Sequence, residues 1–356
     1  MKTKHKVVAA ATLGIPAVFA AGILWLIGGW PEKGTSYPPV FTSGNPPEKQ
    51  AELSEKITVF SYNMHFGVGR DDDHTKQSRE SILKRLDQIA GIIKDQAADV
   101  VLLQEVDYDS DRSYNIDQLK HLAEKTGLHY MAPIVTWKKG YIPYPWPPSK
   151  MFGKMLSGQA VLSRFPISNN IAITQEKPQS NPFWYNAFYL QRTIQHVTVD
   201  INQKTLDFLN IHTEAFDLEN RQKHAEQIRK YVQAMRMLRT PQSHNAIIMA
   251  GDFNAVPPEA SLKNNFPDEP DNDMTDDQSV AEMRKLRFTE LIDEEKYRAD
   301  EKAAFTFPSD TPCRRLDYFY ISPELKFVDG GVLHEAGTLS DHLPLVGEVM
   351  LELPAE

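Results

Sequence analysis

Cysteine is almost absent from this sequence of 356 residues, in which Cys313 is the single one. A chain with one thiol can form neither an internal disulfide framework nor a cluster of thiolate metal ligands. Hydrophobic residues make up 41% of the chain and charged residues 24%. This composition is typical of a soluble globular protein with a sizeable core, built as one large domain or two small ones.

Positive charge is also in short supply. The sequence has 39 lysine and arginine residues against 48 aspartate and glutamate residues, which gives a formal net charge of -9. A chain of this sign is repelled as a whole by DNA or RNA, and this argues against a processive nuclease. Acidic enzymes that nick nucleic acid bind it through one local basic patch, so the net charge alone does not decide the substrate.

The amino terminus has the pattern of a targeting segment. Three lysines within residues 2–6 precede residues 7–30, which contain no charged side chain and are long enough to cross a bilayer as a helix. The pattern predicts a transmembrane signal anchor at residues 1–30. The positive-inside rule keeps the lysines in the cytoplasm, so the rest of this single-pass protein is expected to be extracytoplasmic, either periplasmic or extracellular.

A cleaved signal peptide is the alternative to this anchor. Residues 18–20 (VFA) resemble a small-residue cleavage site after an apolar segment, and cleavage there would give a secreted protein. The apolar run continues beyond this site and ends at Trp30, which favours an uncleaved anchor with an interfacial tryptophan. Residues 31–55 are rich in proline, glycine and serine and are interpreted as a Pro-rich linker.

Residues 56–356 form the predicted folded domain. Short apolar runs alternate with two segments of helical periodicity, and strands outnumber helices. The fold class expected from this pattern is α/β, a four-layer sandwich with two central mixed β-sheets flanked by helices. Strands are predicted at 56–63, 99–103, 158–162, 193–201, 205–211, 246–250, 316–321 and 345–351, and helices at 79–94 and 218–238.

Polar residues recur where the predicted strands stop. Taken singly, an asparagine or aspartate at such a place more often caps a turn than binds a ligand. As a set, oxygen ligands with few histidines and no thiolates suit Mg²⁺, Mn²⁺ or Ca²⁺ rather than structural zinc. The set comprises Asn63, Glu105, His212, Asp252, Asn254, Asp317, Asp341 and His342.

Eight sequence blocks follow one another along this domain: SYNMH, LLQEVD, SGQAVLSRFPI, NIHTE, AGDFNA, FTFPS, RRLDYFYI and SDHLPL. In content and order they resemble the endonuclease/exonuclease/phosphatase (DNase I-like) superfamily. This superfamily includes pancreatic deoxyribonuclease, abasic-site endonucleases, neutral sphingomyelinases and inositol-polyphosphate 5-phosphatases. One four-letter match arises by chance, whereas eight in the family's order are specific.

The resemblance implies a divalent-metal-dependent phosphoester hydrolase that uses in-line attack by water. It implies that Glu105, helped by Asn63 and Asp341, holds the cation, expected to be Mg²⁺ with Mn²⁺ or Ca²⁺ as alternatives. Asp252 is then expected to orient and deprotonate the water, with Asn254 beside a phosphate oxygen.

The resemblance also implies roles for two histidines. His342 is expected to contact the scissile phosphate, with Asp317 fixing its tautomer and charge. His212 is expected to donate a hydrogen bond to the phosphate or to protonate the leaving group. Arg164 and Arg192 are candidate substrate-binding residues, although each could instead close an ion pair at the edge of the sandwich.

Two aromatic stretches with little charge, 137–152 and 181–190, bear on the substrate. Aromatic side chains at loop tips can rest at the headgroup level of a bilayer, while core packing and base stacking by a nuclease are the alternatives. We expect a lipid-linked or small phosphorylated substrate, as for a sphingomyelinase or a phosphoinositide phosphatase. The alternatives are an extracytoplasmic endonuclease or exonuclease and, more distantly, an inactive tethered binding module.

Overall fold

The computed structural model describes residues 34–44, 56–71, 73–201, 204–238 and 246–351, together with Gly22 and Leu26. Apart from these two residues, the predicted anchor at 1–30 lies outside the described part of the chain. None of the helices within the described ranges is both long and apolar enough to cross a membrane. The anchor and the side of the membrane on which the domain lies therefore stay predictions.

The described residues contain fourteen β-strands, which are named in chain order. They are β1 (Thr35–Ser36), β2 (Phe41–Thr42), β3 (Lys56–Asn63), β4 (Val100–Asp107), β5 (Tyr130–Ile142), β6 (Gly153–Ser163), β7 (Ile167–Thr174), β8 (Thr193–Ile201), β9 (Lys204–His212), β10 (Ala246–Asp252), β11 (Thr289–Glu290), β12 (Asp317–Ile321), β13 (Leu325–Val332) and β14 (Leu345–Leu351). Within the same ranges the α-helices are α1 (Arg79–Asp95), α2 (Gln118–Thr126), α3 (Phe183–Phe188), α4 (Leu218–Met237), α5 (Ser279–Arg284) and α6 (Glu294–Ala299).

The described strands form two sheets of seven strands each. The order in the first sheet is β1-β7-β8-β9-β10-β12-β11, and in the second it is β13-β14-β3-β4-β6-β5-β2. Both sheets are mixed, because β9 and β10 run parallel, as do β3 and β4, while the other neighbours are antiparallel. Two mixed sheets with helices outside confirm the predicted α/β sandwich.

Strand β3 shows why the sheets pack face to face. Its alternate residues Ile57 and Val59 belong to the apolar core between the sheets, whereas Phe60 and Tyr62 belong to the core between the second sheet and its helices. Successive side chains of a strand point to opposite faces, so a strand buried on both faces needs apolar residues at nearly every position.

Helix α1 covers the outer face of the second sheet. Its N-cap is Ser78, whose hydroxyl accepts a hydrogen bond from the Ser81 backbone amide in a reciprocal capping box. A helical spacing places Ile82, Leu86, Ile89 and Ile93 on one buried face. Helix α4 covers the first sheet in the same way through its buried residues Ala225, Ile228 and Val232.

The predicted linker at 31–55 contributes structure at residues 34–44. Strand β1 pairs with β7 at the edge of the first sheet, and β2 pairs with β5 at the edge of the second. The intervening Pro38 and Pro39 have no amide hydrogen to donate to a sheet. The segment between β1 and β2 therefore connects the edge of the first sheet to the edge of the second without extending either strand. Part of the predicted Pro-rich linker therefore pairs with both sheets, and the bounds of the linker at 31–55 stay a prediction.

Parallel strands place the predicted site residues at one edge of the sandwich. Since β9 and β10 are parallel, and β3 and β4 are parallel, the carboxyl ends within each pair lie side by side. Strand β12 runs antiparallel to β10, so its first residue, Asp317, lies opposite the last residue of β10, Asp252. Strand ends of this kind commonly carry functional side chains.

Candidate active site

Asp252 stands at the centre of the cluster of predicted site residues. In the first sheet its register partners are His212 on β9 and Asp317 on β12. Its carboxylate is buried, and its Oδ2 accepts a hydrogen bond of 3.1 Å from Nδ2 of Asn63, at the end of β3 in the other sheet. The carboxylate of Asp252 therefore joins the two sheets where their strands end.

Glu105 lies beside this carboxylate on a distorted part of β4. The pairing of β4 with β6 is irregular between Leu103 and Val106, and Glu105 itself has a φ of 54°. Its Oε1 lies 3.5 Å from Nδ2 of Asn63, and its side chain keeps 30% of its accessible surface. Bulges and unusual backbone angles often redirect a side chain at a functional site.

His342 and Asp317 form a buried pair. Nδ1 of His342 lies 2.8 Å from Oδ2 of Asp317, and Nε2 of His342 lies 3.6 Å from Oδ2 of Asp252. Burial lowers the pKa of His342, but the carboxylates of Asp317, Asp252 and Asp341 outweigh it and raise this pKa to about 10. The His342 ring is therefore an imidazolium at neutral pH, with Nε2 facing Asp252.

Burial raises the pKa of Asp252, and Asp317 raises it further, while the His342 charge and the hydrogen bonds from Asn254 and Asn63 lower it. The net effect is a raised pKa, so the Asp252 carboxylate binds a proton more readily than an ordinary aspartate does. A carboxylate with a raised pKa is a better proton acceptor than an ordinary aspartate.

His212 has the opposite electrostatic state from His342. Its Nε2 lies 3.5 Å from Oδ2 of Asp252 and 3.7 Å from Oε1 of Glu105. Burial, followed by the charges of Arg192 and His342, lowers the pKa of His212 well below its ordinary value. The ring is therefore neutral at physiological pH and can donate one hydrogen bond without carrying charge.

Asn254 is held against Asp252 by a left-handed backbone conformation. Its φ is 48°, a region that asparagine tolerates better than most residues. The Asn254 amide donates to Oδ1 of Asp252 at 2.8 Å, and its Nδ2 lies 3.2 Å from the Thr213 carbonyl oxygen. This turn fixes the Asn254 side chain next to the Asp252 carboxylate.

Asp341 joins the site through Ser340. The Ser340 hydroxyl lies 2.7 Å from the carbonyl oxygen of Asn63 and 3.0 Å from Oδ1 of Asp341. Nδ1 of His65 lies 3.7 Å from the other carboxylate oxygen of Asp341. Asp341 is thus held near the end of β3, where Asn63 and Glu105 are found.

The donor set at this edge fits a hard divalent cation. The partly open carboxylate of Glu105 and the nearby oxygens of Asn63 and Asp341 are the ligand type that Mg²⁺ prefers. Ligand atoms of Asp252, Asp317 and His342 also lie within 4.8 Å of one another, close enough to share an ion. These three residues are buried, and Asp317 and His342 are hydrogen-bonded to each other, whereas the Glu105 carboxylate is more open.

The two arginines that the sequence singled out occupy opposite ends of the sandwich. Arg192 precedes β8, is buried next to His212, and leaves its Nε and Nη1 without a hydrogen-bond partner. Arg164 instead pairs with Asp99 at 3.2 Å, just before the start of β4 and away from Glu105. The position of Arg164 fits the ion-pair alternative, and its role in substrate binding stays a prediction.

Ser340 and Glu214 were missed as members of this neighbourhood. Glu214 is two residues beyond His212, is buried, and accepts a hydrogen bond of 2.6 Å from the Tyr189 hydroxyl. Glu214 lies in the block NIHTE, two residues from His212, and Ser340 lies in the block SDHLPL, next to Asp341. Their adjacency was the available signal, since neither has a spacing pattern of its own.

Known structures share this architecture at low sequence identity. An endonuclease/exonuclease/phosphatase from Beutenbergia cavernae DSM 12333 is 20% identical with a TM-score of 0.59, over 83% of this chain and 72% of that one. A mannosyl-6-phosphatase from Bacteroides thetaiotaomicron VPI-5482 is 18% identical with a TM-score of 0.54, over 82% and 99%. A humanized TDP2 of D. rerio is 14% identical with a TM-score of 0.52, over 83% and 99%.

These likenesses establish the fold alone, because sequence identities this low say nothing about substrate or activity. No curated protein sequence matches the chain. The family assignment has separate support, since residues 60–342 match the Endonuclease/Exonuclease/phosphatase family over most of the sequence. The chain therefore belongs to the endonuclease/exonuclease/phosphatase family and is a phosphodiesterase or phosphatase of that superfamily.

Proposed function

We propose that this enzyme hydrolyses a lipid-linked or small phosphorylated substrate by in-line attack of water on phosphorus. The observation that carries the proposal is the position of the buried Asp252 carboxylate, which lies within 3.6 Å of the nearest nitrogen of Asn63, His212 and His342. One proton acceptor is thus surrounded by groups that can hold an anion.

Asp252 accepts the proton of the attacking water. Its raised pKa brings the carboxylate closer to the pKa range in which a general base is effective near neutral pH. Asn254, bonded to Asp252 through its backbone amide, presents its side-chain amide to a phosphate oxygen as negative charge develops.

The two histidines act in different protonation states. The His342 imidazolium, held by Asp317, stabilises negative charge on the phosphate. The neutral His212 ring donates a hydrogen bond to the phosphate or to the leaving oxygen. Arg192 has buried guanidinium nitrogens without partners and supplies further positive charge beside His212.

Glu105, Asn63 and Asp341 would hold the divalent cation, with Mg²⁺ proposed and Mn²⁺ or Ca²⁺ as alternatives. Enzymes of this family are generally dependent on divalent metals. When bound, such an ion offsets phosphate charge and stabilises the leaving oxygen. Glu105 is suited to this position because its carboxylate is partly open and its Oε1 lies 3.5 Å from Nδ2 of Asn63.

Aromatic side chains on the surface support a substrate at a membrane. Trp146, Phe183, Trp184 and Phe216 are all exposed, and aromatic rings are favourable at the headgroup level of a bilayer. Other residues of the aromatic stretch 137–152 serve core packing instead, since Trp137 is buried in a small cluster with Ile142 and Met155. The predicted anchor at 1–30 and these rings agree with an enzyme at the extracytoplasmic face of a membrane, which is part of the proposal; if the signal is cleaved, the enzyme is secreted.

A nuclease is the second candidate, because exposed aromatic residues also stack on bases. The net charge of -9 favours the lipid or small-molecule substrate over DNA. An inactive binding module that kept the fold is disfavoured, because the proposed base and phosphate-contacting residues converge around Asp252.

The test is turnover by the purified full chain on sphingomyelin, phosphoinositides and plasmid DNA in the presence of Mg²⁺. The proposal expects release of a phosphorylated product or phosphate from a lipid, with Asp252→Asn inactive and the exposed control Asp271→Asn active. Cleavage of plasmid alone would replace the lipid proposal with a nuclease. A hydrolysis rate that is unchanged both in Asp252→Asn and in the presence of EDTA would contradict the proposed mechanism.

A further inference from the structure

A separate cavity of about 300 Å³ opens beside the end of β9. It lies between the α3 segment and the loop that follows His212, so it is next to the proposed phosphate site. Its lining residues are Pro178, Ser180, Asn181, Pro182, Trp184, Tyr185, Tyr189, Glu214, Phe216 and Asp217. We refer to this space as the α3 cavity.

Aromatic rings form the walls of the α3 cavity. The ring centroids of Trp184 and Tyr185 are 6.0 Å apart in an edge-to-face arrangement, and those of Tyr185 and Tyr189 are 5.5 Å apart. Phe216 contributes a ring that is 82% exposed from the loop after β9. Several aromatic faces therefore border one small space.

Glu214 supplies a buried carboxylate to this cavity. Its Oε1 accepts hydrogen bonds from the Tyr189 hydroxyl at 2.6 Å and the Phe216 amide at 3.1 Å. Its Oε2 is buried without any hydrogen-bond partner. An unpartnered buried oxygen is costly and in native proteins requires an explanation, of which a ligand is one.

The other polar groups of the lining leave no positive charge there. Asp217 is a second carboxylate, and its two oxygens accept from the Ser180 hydroxyl and the Asn220 amide. The Asn181 amide donates to Asn186. No lysine, arginine or histidine is present among the described lining residues. The α3 cavity is therefore aromatic, anionic and rich in acceptors.

We infer that the α3 cavity binds an organic ammonium group, of the choline or ethanolamine type, that is esterified to the phosphate undergoing hydrolysis. Aromatic faces attract such cations through their quadrupoles, and the Glu214 carboxylate adds a direct charge. A sugar needs donors as well as acceptors, and the Ser180, Asn181 and Tyr189 donors are already engaged. A nucleic acid strand would bring phosphates toward two carboxylates.

This inference rests on the proposed function, because it assigns the substrate class of the same site. The matched substrates are p-nitrophenyl phosphorylcholine and p-nitrophenyl 3,3-dimethylbutyl phosphate, in which carbon replaces the ammonium nitrogen. Water attacks phosphorus, and the bond from phosphorus to the nitrophenyl oxygen breaks. The products are nitrophenolate and the phosphate monoester of choline or of 3,3-dimethylbutanol. The full chain should show at least a tenfold higher kcat/KM for the choline ester.

Two variants test which residues provide this preference. Glu214→Gln should bring the ratio of the two kcat/KM values close to one, because the variant loses the carboxylate that distinguishes the ammonium group from its uncharged carbon analogue. Trp184→Ala changes a side chain that is 58% exposed, so it should fold normally, and it should lower the ratio several-fold. If Glu214→Gln does not fold, the Trp184 variant decides. The control Asp271→Asn should keep the full ratio.

Binding separates the inference from the proposed function. Choline chloride titrated into the full chain should give saturable binding that Trp184→Ala weakens, and 3,3-dimethylbutanol should bind at least tenfold more weakly. Hydrolysis of both esters with equal kcat/KM would overturn the cation site and leave the phosphoesterase standing. Choline binding without hydrolysis of either ester would support the cation site and count against the proposed function.

Discussion

Nδ1 of His342 lies 2.8 Å from Oδ2 of Asp317, although the two residues are 25 positions apart in the sequence. This contact orients the ring so that Nε2 lies 3.6 Å from Oδ2 of Asp252. A buried histidine without such a partner would lose its proton, because burial disfavours the charged form. Asp317 thus determines both the direction and the charge of His342.

Asp317→Asn should therefore reduce catalysis without removing the side chain. The amide keeps the shape of the carboxylate but not its charge, so the pKa of His342 should fall. We predict a decrease in kcat of about 10²- to 10⁴-fold, the range of a positioned proton-handling group. Steady-state kinetics with the control Asp271→Asn measures it; unchanged kcat would show that His342 does not act as an imidazolium.

Stability should depend on the charge of His342. Its pKa is raised to about 10 in the folded state, above the unfolded value of about 6.5. The stabilisation is therefore fully present below the unfolded pKa and is lost as pH rises toward 10. In chemical denaturation in EDTA at pH 6, 8 and 10, the difference in the free energy of unfolding between wild type and His342→Gln should become smaller as the pH rises. The exposed-site control His334→Gln should follow wild type; a constant gap for His342→Gln would contradict this.

Removal of the carboxylate at Glu105 should weaken metal dependence selectively. In Glu105→Gln, the Mg²⁺ concentration for half-maximal activity should rise at least about tenfold, a typical loss when a metal site is altered. Calorimetric titration of Mg²⁺ should give the same ranking, and EDTA should abolish wild-type activity. An unchanged Mg²⁺ requirement would move the cation to Asp252, Asp317 and His342, whose ligand atoms also lie close together.

Arg192 and Arg164 form a matched pair for substrate binding. Arg192→Met should reduce kcat/KM by about 10- to 100-fold, the effect of losing one hydrogen bond to a charged group. Arg164→Met should leave kcat/KM unchanged, because Arg164 pairs with Asp99 away from the site. Equal losses in the two variants would show that the effect comes from general stability, which thermal denaturation would reveal.

Much of this site could be predicted from the sequence because the polar residues directly follow apolar strands. Asn63, His212 and Asp252 each end a strand, and parallel pairing brings such ends together. The separation of Asp317 and His342 in the chain gives no sign of their contact. Only the order of the family's blocks connected them before the structure did.

Other features depended on pairing and loop geometry, which the sequence does not encode in a local pattern. Strands β1 and β2 have two residues each, too few for an alternation to be recognised. The partner of Arg164 is set by the register of β4 and β6. The α3 cavity arises where two loops meet, so Glu214 had no signal beyond its position two residues after His212.

The central claim is that Asp252 is the base of a metal-assisted phosphoester hydrolase. Asp252→Asn keeps the shape of the side chain and removes its ability to accept a proton. In the full chain with saturating Mg²⁺, kcat for p-nitrophenyl phosphorylcholine and p-nitrophenyl 3,3-dimethylbutyl phosphate should fall by at least about 10²-fold. Asp271→Asn should match wild type, and a kcat for Asp252→Asn equal to wild type would contradict the account.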